Sequence, residues 1–347
     1  MEAEMSEKVR FGLIGCGTVA GYGHIPALTT CPKIELVALS DLNLDRLAEL
    51  SEKYGVSATY KNYHDLLARD DIDAVGVAVP LDQHHAVVID AACAGKHVFC
   101  EKPIAPTVEL AQEMVQAMEK AGKLFAINFE MRHSEPHPEM KTLLDEGTIG
   151  ELKVFRGIGN WMGGRWAGVD RYKMLITVGL GPIVDCGIHY FDQCRWFTGS
   201  EFAEIQAMGT FIENYPNPDH VIATCRMENG VLAIIEQGWA YTHNTPCHEA
   251  NLRIDLIGTE GLISYSNSQC SIEGEETRRE LSLYSKSACW RKRLTSAQKA
   301  FGKMYSLFAQ SIMEGRLLDL PSGYDGVQAL KAALTALELA KSGAVTS

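Results

Sequence analysis

Short apolar runs, each closed by glycine or by a turn residue, set the rhythm of the first 130 residues. The stretches 9–14, 34–39, 74–79, 97–100 and 124–127 are too short for helices and rich in Val, Ile, Leu and Phe, which predicts strands. Between them, 44–54, 84–94 and 108–121 carry helical spacing. Strands that alternate with helices in this way predict an α/β fold with a parallel sheet covered on both faces, of the Rossmann type.

Past Gly150 the pattern changes. Strand-like runs at 153–159, 205–212, 221–226, 231–239, 252–257 and 262–265 are joined by turn signals such as Glu228-Asn229-Gly230 and Thr259-Glu260-Gly261. Such closely joined strands predict a large, open and mainly antiparallel sheet. A helix is expected at 183–197, and helical periodicity returns at 297–313 and 327–341. The domains are therefore expected at 1–128 and 129–347, with the last helix packing back on the first domain.

A chain of 347 residues with 46% hydrophobic content can bury two cores. Its formal net charge of −12 argues against a nucleic-acid partner, and Arg291-Lys292-Arg293 is read as a solvated face or loop. The acidic first residues do not resemble a signal peptide, and no stretch is long and apolar enough for a membrane span, so a cytoplasmic protein is expected. Ten cysteines without a CxxC pair are read as reduced. His133 and His137 have a ligand-like spacing, but Pro136 interrupts the helix and no thiolate stands nearby, so no metal is expected.

Gly15-Cys16-Gly17-Thr18-Val19-Ala20 follows the first strand directly. Gly15 would permit the tight turn, Gly17 the approach of a pyrophosphate, and Ala20 close packing, with Thr18 and Val19 opening the helix beneath the phosphates. Asp41 ends the second strand, where a carboxylate can accept hydrogen bonds from an adenosine ribose. It would repel a 2′-phosphate and no basic residue follows in 42–45, so NAD is favoured over NADP.

Three runs make the chain resemble the Gfo/Idh/MocA oxidoreductases, a family that takes in glucose–fructose oxidoreductase, inositol dehydrogenases and sugar dehydrogenases. They are the glycine turn, Ala94-Gly95-Lys96-His97-Val98-Phe99-Cys100-Glu101-Lys102-Pro103, and Gly181-Pro182-Ile183-Val184-Asp185-Cys186-Gly187-Ile188-His189. The resemblance spans roughly residues 9–345 and includes Ser322-Gly323-Tyr324-Asp325-Gly326. It implies a Rossmann domain followed by an α/β domain whose open sheet joins subunits into a dimer or tetramer. It also implies that Lys102, Asp185 and His189 are catalytic, that Glu101 and Lys102 lie at the cofactor, and that the Lys102-Pro103 bond is cis. Pro80 and His84 match a loop beside the nicotinamide, although Leu81 replaces the usual Asn. Arg132 matches an arginine near the substrate, with Glu130 where a neutral or basic residue is commoner.

The chemistry of these side chains agrees. Oxidising an alcohol requires a base for the hydroxyl proton and a group that holds the oxygen. His189 suits the first role and Lys102 the second, and the two exchange roles if burial depresses the lysine pKa. Asp185, four residues before His189, shares its face on a continuous helix and would orient the ring or bind a second hydroxyl. Trp161, Arg165, Trp166 and, more weakly, Tyr172 are expected to clamp a small polyhydroxylated substrate by stacking and hydrogen bonding. The leading reading is an NAD-dependent dehydrogenase acting on a secondary alcohol of a sugar, sugar derivative or cyclitol. The alternatives are an NAD-dependent glycosidase or lyase that oxidises transiently, and a non-catalytic cofactor-binding sensor.

Overall fold

β1 (Val9–Ile14) lies inside a parallel sheet flanked by helices, so its side chains are buried on both faces. Around it run β2 (Ile34–Ser40), β3 (Ala58–Tyr60), β4 (Ala74–Val77), β5 (His97–Cys100) and β6 (Phe125–Ile127), in the spatial order β3-β2-β1-β4-β5-β6. The order reverses between β1 and β4, and ligands of such sheets bind at the strand ends beside that reversal. The computed structural model describes residues 8–162, 178, 180–213, 215–240, 245–247, 249–273, 276–295 and 299–342.

The connecting helices are α1 (Ile25–Thr30), α2 (Leu44–Tyr54), α3 (Tyr63–Leu67), α4 (His84–Cys93) and α5 (Val108–Lys120). Local chemistry sets their ends. Asn43 Oδ1 accepts the Arg46 N–H at the start of α2, which closes at Gly55 in the left-handed region, and Thr107 Oγ1 accepts the Leu110 N–H at the start of α5.

The second unit begins with α6 (His137–Asp145) and is built on an eight-stranded sheet in the order β14-β13-β12-β11-β7-β10-β9-β8. Its strands are β7 (Leu152–Asn160), β8 (Phe202–Thr210), β9 (His220–Met227), β10 (Leu232–Gly238), β11 (Glu249–Gly258), β12 (Gly261–Cys270), β13 (Arg278–Ser285) and β14 (Cys289–Arg293). Among the described residues of this sheet, β7 and β10 pair in parallel and the other neighbours pair antiparallel. Helices α7 (Pro182–Asp185) and α8 (Ile188–Thr198) lie against one face, where the Tyr190 ring occupies the space left by Gly157 and Gly159 and its hydroxyl donates to the Ile158 carbonyl at 2.9 Å. The opposite face is open: Ile222, Leu232 and Ile234 are exposed in alternation with buried residues, and Met208 is exposed beside them on β8, between half-buried neighbours.

The division of the chain differs from the expected break near residue 128. The first unit runs to His133 and takes back Lys299–Val327, while Ser134–Gln298 and Gln328–Ser347 form the second. The returning segment carries α9 (Phe301–Glu314), and its Tyr305 and Phe308 pack on Phe11 and Phe99 of the parallel sheet. The last helix, α10 (Gly323–Ser342), starts in the first unit, but from Gln328 it belongs to the second, so the helix expected to pack back is mainly the one before it.

Three strands were not expected from the sequence: β3, which has only three residues, β13, and the edge strand β14, which contains Arg291-Lys292-Arg293. Those three side chains pair with Glu280, Glu139 and Glu276, so a run read as a solvated face or loop is a charged sheet edge. No helix among the described residues is long and apolar enough to cross a membrane.

Candidate active site and cofactor cradle

The glycine turn leaves β1 through Gly15 at φ 97°, a conformation that favours glycine, and a Cβ there would lie 2.4 Å from the Ala78 carbonyl oxygen. The turn is held from the β2 side. Asp41 Oδ2 accepts the Cys16 N–H at 2.6 Å and Oδ1 accepts the Asn43 N–H at 2.7 Å, while Arg46 Nε donates to the Cys16 carbonyl at 3.3 Å. Asp41, expected to read a ribose, thus also fastens the turn on which a dinucleotide would rest.

A Cβ at Gly17 would meet nothing within 4 Å, so the turn faces open space. That space is a cleft of about 480 Å³ lined by Gly17, Thr18, Gly21, Tyr22, Asn43 and Arg46. Main-chain N–H groups at the start of a helix, a glycine without a side chain to block approach, and the Arg46 guanidinium suit a dinucleotide pyrophosphate. Val19 begins the π-helical turn Ala20–His24 that follows.

At the end of β5 the backbone turns through Glu101 and Lys102, and the Lys102-Pro103 bond is cis. Glu101 Oε1 accepts from His24 Nε2 at 2.8 Å and from Asn128 Nδ2 at 2.6 Å, and Oε2 lies 3.2 Å from the Lys102 N–H. Burial by itself would raise the Glu101 pKa. The hydrogen bond and charge of His24, the Lys102 ammonium and the Asn128 amide outweigh it and hold the carboxyl at about 2. An ionised carboxylate therefore stands next in sequence to Lys102.

Pro80 precedes a short 3-10 turn, Leu81–Gln83, which leads into α4. His84 is buried, with Nδ1 2.9 Å from the Pro103 carbonyl oxygen and Nε2 3.0 Å from that of Val79. Expected at the cofactor, this ring instead ties the loop after β4 to the one after Lys102, and burial lowers its pKa. Arg132, expected at the substrate, forms an ion pair with Asp325 at 3.0 Å, and the Ser322 N–H and hydroxyl donate to the same carboxylate. Glu130 is buried and pairs with Lys299 at 3.2 Å, and the lysine Nζ lies 5.7 Å from the Tyr22 ring centroid. His133 and His137 each hydrogen-bond a backbone carbonyl, those of Asp319 and Ser134. Among the described residues no group of three or more His, Cys, Asp or Glu side chains could hold a metal ion.

In the second unit Asp185 and His189 do not share one continuous helix. Asp185 ends α7 and His189 is the second residue of α8, with Cys186 and Gly187 as a turn between them. A Cβ at Gly187 would fall 2.5 Å from the Ile183 carbonyl oxygen, and the Gly187 N–H bonds Pro182 rather than continuing the α pattern. The spacing of four thus spans a turn between two helices, which corrects the expectation of one continuous helix. Just upstream, Leu180 has φ 60°, a strained value for a non-glycine residue, followed by Gly181 at 80°.

Trp161 leaves the end of β7 with its ring 6.0 Å from that of Trp239 at 74°, and both pack with Cys186 and Tyr215 beside the Asp185 turn. Motif reading selected Trp161 and passed over Trp239 and Tyr215, which carry no local signal. Arg165, Trp166 and Tyr172 lie outside the described residues.

The sequence profile of the Gfo/Idh/MocA oxidoreductase family with an NAD-binding Rossmann fold matches residues 9–129, and that of the Gfo/Idh/MocA C-terminal domain matches residues 137–264. The chain is 30% identical over 264 residues to the myo-inositol 2-dehydrogenase of Thermotoga maritima, covering 75% of each protein. It is 30% identical over 261 residues to the D-glucoside 3-dehydrogenase of Escherichia coli, covering 69% of this chain and 72% of the relative. Among solved structures, the scyllo-inositol dehydrogenase of Lactobacillus casei with bound NAD(H) and scyllo-inositol is similar with a TM-score of 0.78 and 25% identity, covering 96% of this chain and 97% of the other.

Because Asp41 accepts two backbone N–H groups, and hydrogen bonds to a charged group contribute roughly 1.5–3 kcal/mol, its loss is expected to loosen the turn whether or not it also meets a ribose. Asp41→Ala is expected to raise the Kd for NAD roughly tenfold and to narrow the preference over NADP. Titration with both cofactors measures this, and an unchanged ratio would show that Asp41 serves the turn alone.

Proposed function

The chain belongs to the Gfo/Idh/MocA oxidoreductases, and from that premise we propose that it oxidises a secondary alcohol of a cyclitol, sugar or sugar derivative. It is an NAD(P)-dependent dehydrogenase whose cofactor is NAD. The observation that carries the proposal is Lys102 at the end of a Rossmann strand, beside a carboxylate held ionised by buried donors. Relatives named for myo-inositol and for D-glucosides support a ring bearing several hydroxyls.

NAD supplies the hydride acceptor when bound. The glycine turn, Asp41 and Arg46 hold and orient the dinucleotide. In this reading the Lys102 ammonium hydrogen-bonds the reacting oxygen and stabilises the negative charge that grows there as the proton leaves, and His189 takes that proton. A lysine deprotonated by its surroundings exchanges these roles with the histidine. Asp185 orients the imidazole or binds a second hydroxyl, and the Trp161 ring offers a flat apolar face to the ring carbons of the substrate. The second unit binds the polyol and, through the open face of its sheet, a second copy of the chain. Met208, Ile222, Leu232 and Ile234 give that face an apolar centre suited to a self-complementary contact.

A panel of cyclitols and sugars, followed by NADH absorbance together with product analysis, tests the reaction. Stoichiometric NADH is the expected result. Bond cleavage without NADH would identify the transient-oxidation glycosidase or lyase, and tight NAD binding without any turnover would identify a sensor. Lys102→Ala should lower kcat by roughly 10²-fold or more and leave NADH affinity within a few-fold. Full turnover in that variant would remove Lys102 from the chemistry. Ile234→Glu is expected to lower the mass found by sedimentation, and an unchanged mass would place any subunit contact elsewhere.

A further inference from the structure

The returning segment enters the first unit at Lys299, two residues before α9, and the charge it carries is met on three sides. Lys299 Nζ stands 3.2 Å from Glu130 Oε1, 5.7 Å from the Tyr22 ring centroid and 5.9 Å from that of Phe301. The two rings meet edge to face at 6.4 Å and 82°. A cation within about 6 Å of an aromatic face is attracted to it. Glu130 is buried, and a buried carboxylate needs a partner of this kind. Its charge in turn keeps the lysine protonated well above the usual range.

The same contacts fix Tyr22. This residue is 43% exposed and lines the cleft at Gly17 and Thr18, together with Asn43 and Arg46. Its two neighbours in the chain are closely packed. A Cβ at Gly23 would fall 2.8 Å from the Phe301 ring, and one at Gly21 would meet the Arg46 guanidinium. The backbone is therefore held on both sides of Tyr22, while the Phe301 edge and the Lys299 ammonium restrict the ring itself. An aromatic side chain on the rim of a cleft is thus ordered by groups that come from the turn after β6 and from the returning segment.

We propose that Tyr22 forms a wall of the dinucleotide cleft that retains the cofactor, and that Glu130 and Lys299 are positioning residues that hold its ring in place before the cofactor arrives. The proposal rests on the placement of the pyrophosphate at Gly17 given above. Contacts between phosphates and main-chain N–H groups strengthen where water is kept away, and a ring on the rim keeps it away. A side chain ordered before binding loses no further freedom when the ligand enters, a loss that otherwise costs roughly two- to tenfold in affinity. The wall bounds the phosphates rather than the reacting carbon, so its effect falls on the rate at which NADH leaves.

Stopped-flow displacement of NADH from the full-length protein reads that rate. Tyr22→Ala should raise it roughly tenfold and leave the association rate within about twofold. Glu130→Gln and Lys299→Met keep the shape of each side chain and remove its charge, and each should raise the rate roughly threefold. Lys299→Arg keeps the charge and the contact with both rings, and should stay within about 1.5-fold of wild type. Because Glu130 and Lys299 act through Tyr22, adding either charge-removing substitution to Tyr22→Ala should change the rate by no more than about 1.5-fold. An unchanged rate in Tyr22→Ala, a full threefold effect of Glu130→Gln on top of Tyr22→Ala, or a Lys299→Arg protein as fast as Lys299→Met would overturn the proposal. If Glu130→Gln does not fold, Lys299→Met supplies the same double-variant cycle. Gly17→Ala separates this proposal from the reading beneath it. Wild-type NADH affinity in that variant would refute the placement of the pyrophosphate, whereas weakened binding there with an unchanged rate in Tyr22→Ala would refute the wall alone.

Discussion

A buried carboxylate must be surrounded by donors, and the first unit is organised around meeting that requirement at Glu101. The donors come from distant stretches of sequence: His24 from the turn after β1, Asn128 from the end of β6, and the main chain of Lys102 itself. To bring them together, β1, β4, β5 and β6 must present their ends along one edge, which is where a parallel sheet with its order reversed between β1 and β4 binds ligands. The same requirement recruits α9, because the His24 ring needs Tyr305 on its far nitrogen.

Most of this sheet was legible in the sequence for a physical reason. Strands buried on both faces must be continuous apolar runs, and β1, β2, β4, β5 and β6 are such runs. β3 is too short to give a pattern, and β14 hides its strand character behind the charges that protect an edge. At the site, the glycine turn and Lys102 were legible because close backbone approach and the motif around the lysine leave marks in consecutive residues. His24, Asn128 and Tyr305 leave none. Each is a single polar residue in an apolar neighbourhood, and only the fold reveals the other two beside it. Arg132 shows the converse, since an arginine in a motif reads as a ligand until the structure supplies Asp325.

The second unit divides its sheet between two tasks. Tyr190 and its neighbours on α8 fill the covered face, where Gly157 and Gly159 leave room for the ring. The uncovered face alternates exposed Ile222, Leu232 and Ile234 with residues that point into the core, so its register is fixed by the buried side alone. Substitutions on the open face therefore leave the pairing of the strands undisturbed. The turn at Gly187 likewise divides Asp185 and His189 between two helices.

The return of α9 to the first unit also governs how the chain is made. A nascent polypeptide that has emerged as far as His133 has all six strands of the parallel sheet but lacks Tyr305 and Phe308, so Phe11 and Phe99 are left without their cover and Nδ1 of the His24 ring without its hydrogen-bond partner. The first unit can close only after the whole intervening sheet has been synthesised, so the earliest part of the chain waits for one of its latest segments. Contacts across nearly 300 residues slow such closure. Until then the faces of Phe11 and Phe99 that α9 covers stay exposed, the kind of apolar surface that makes incomplete chains prone to aggregate.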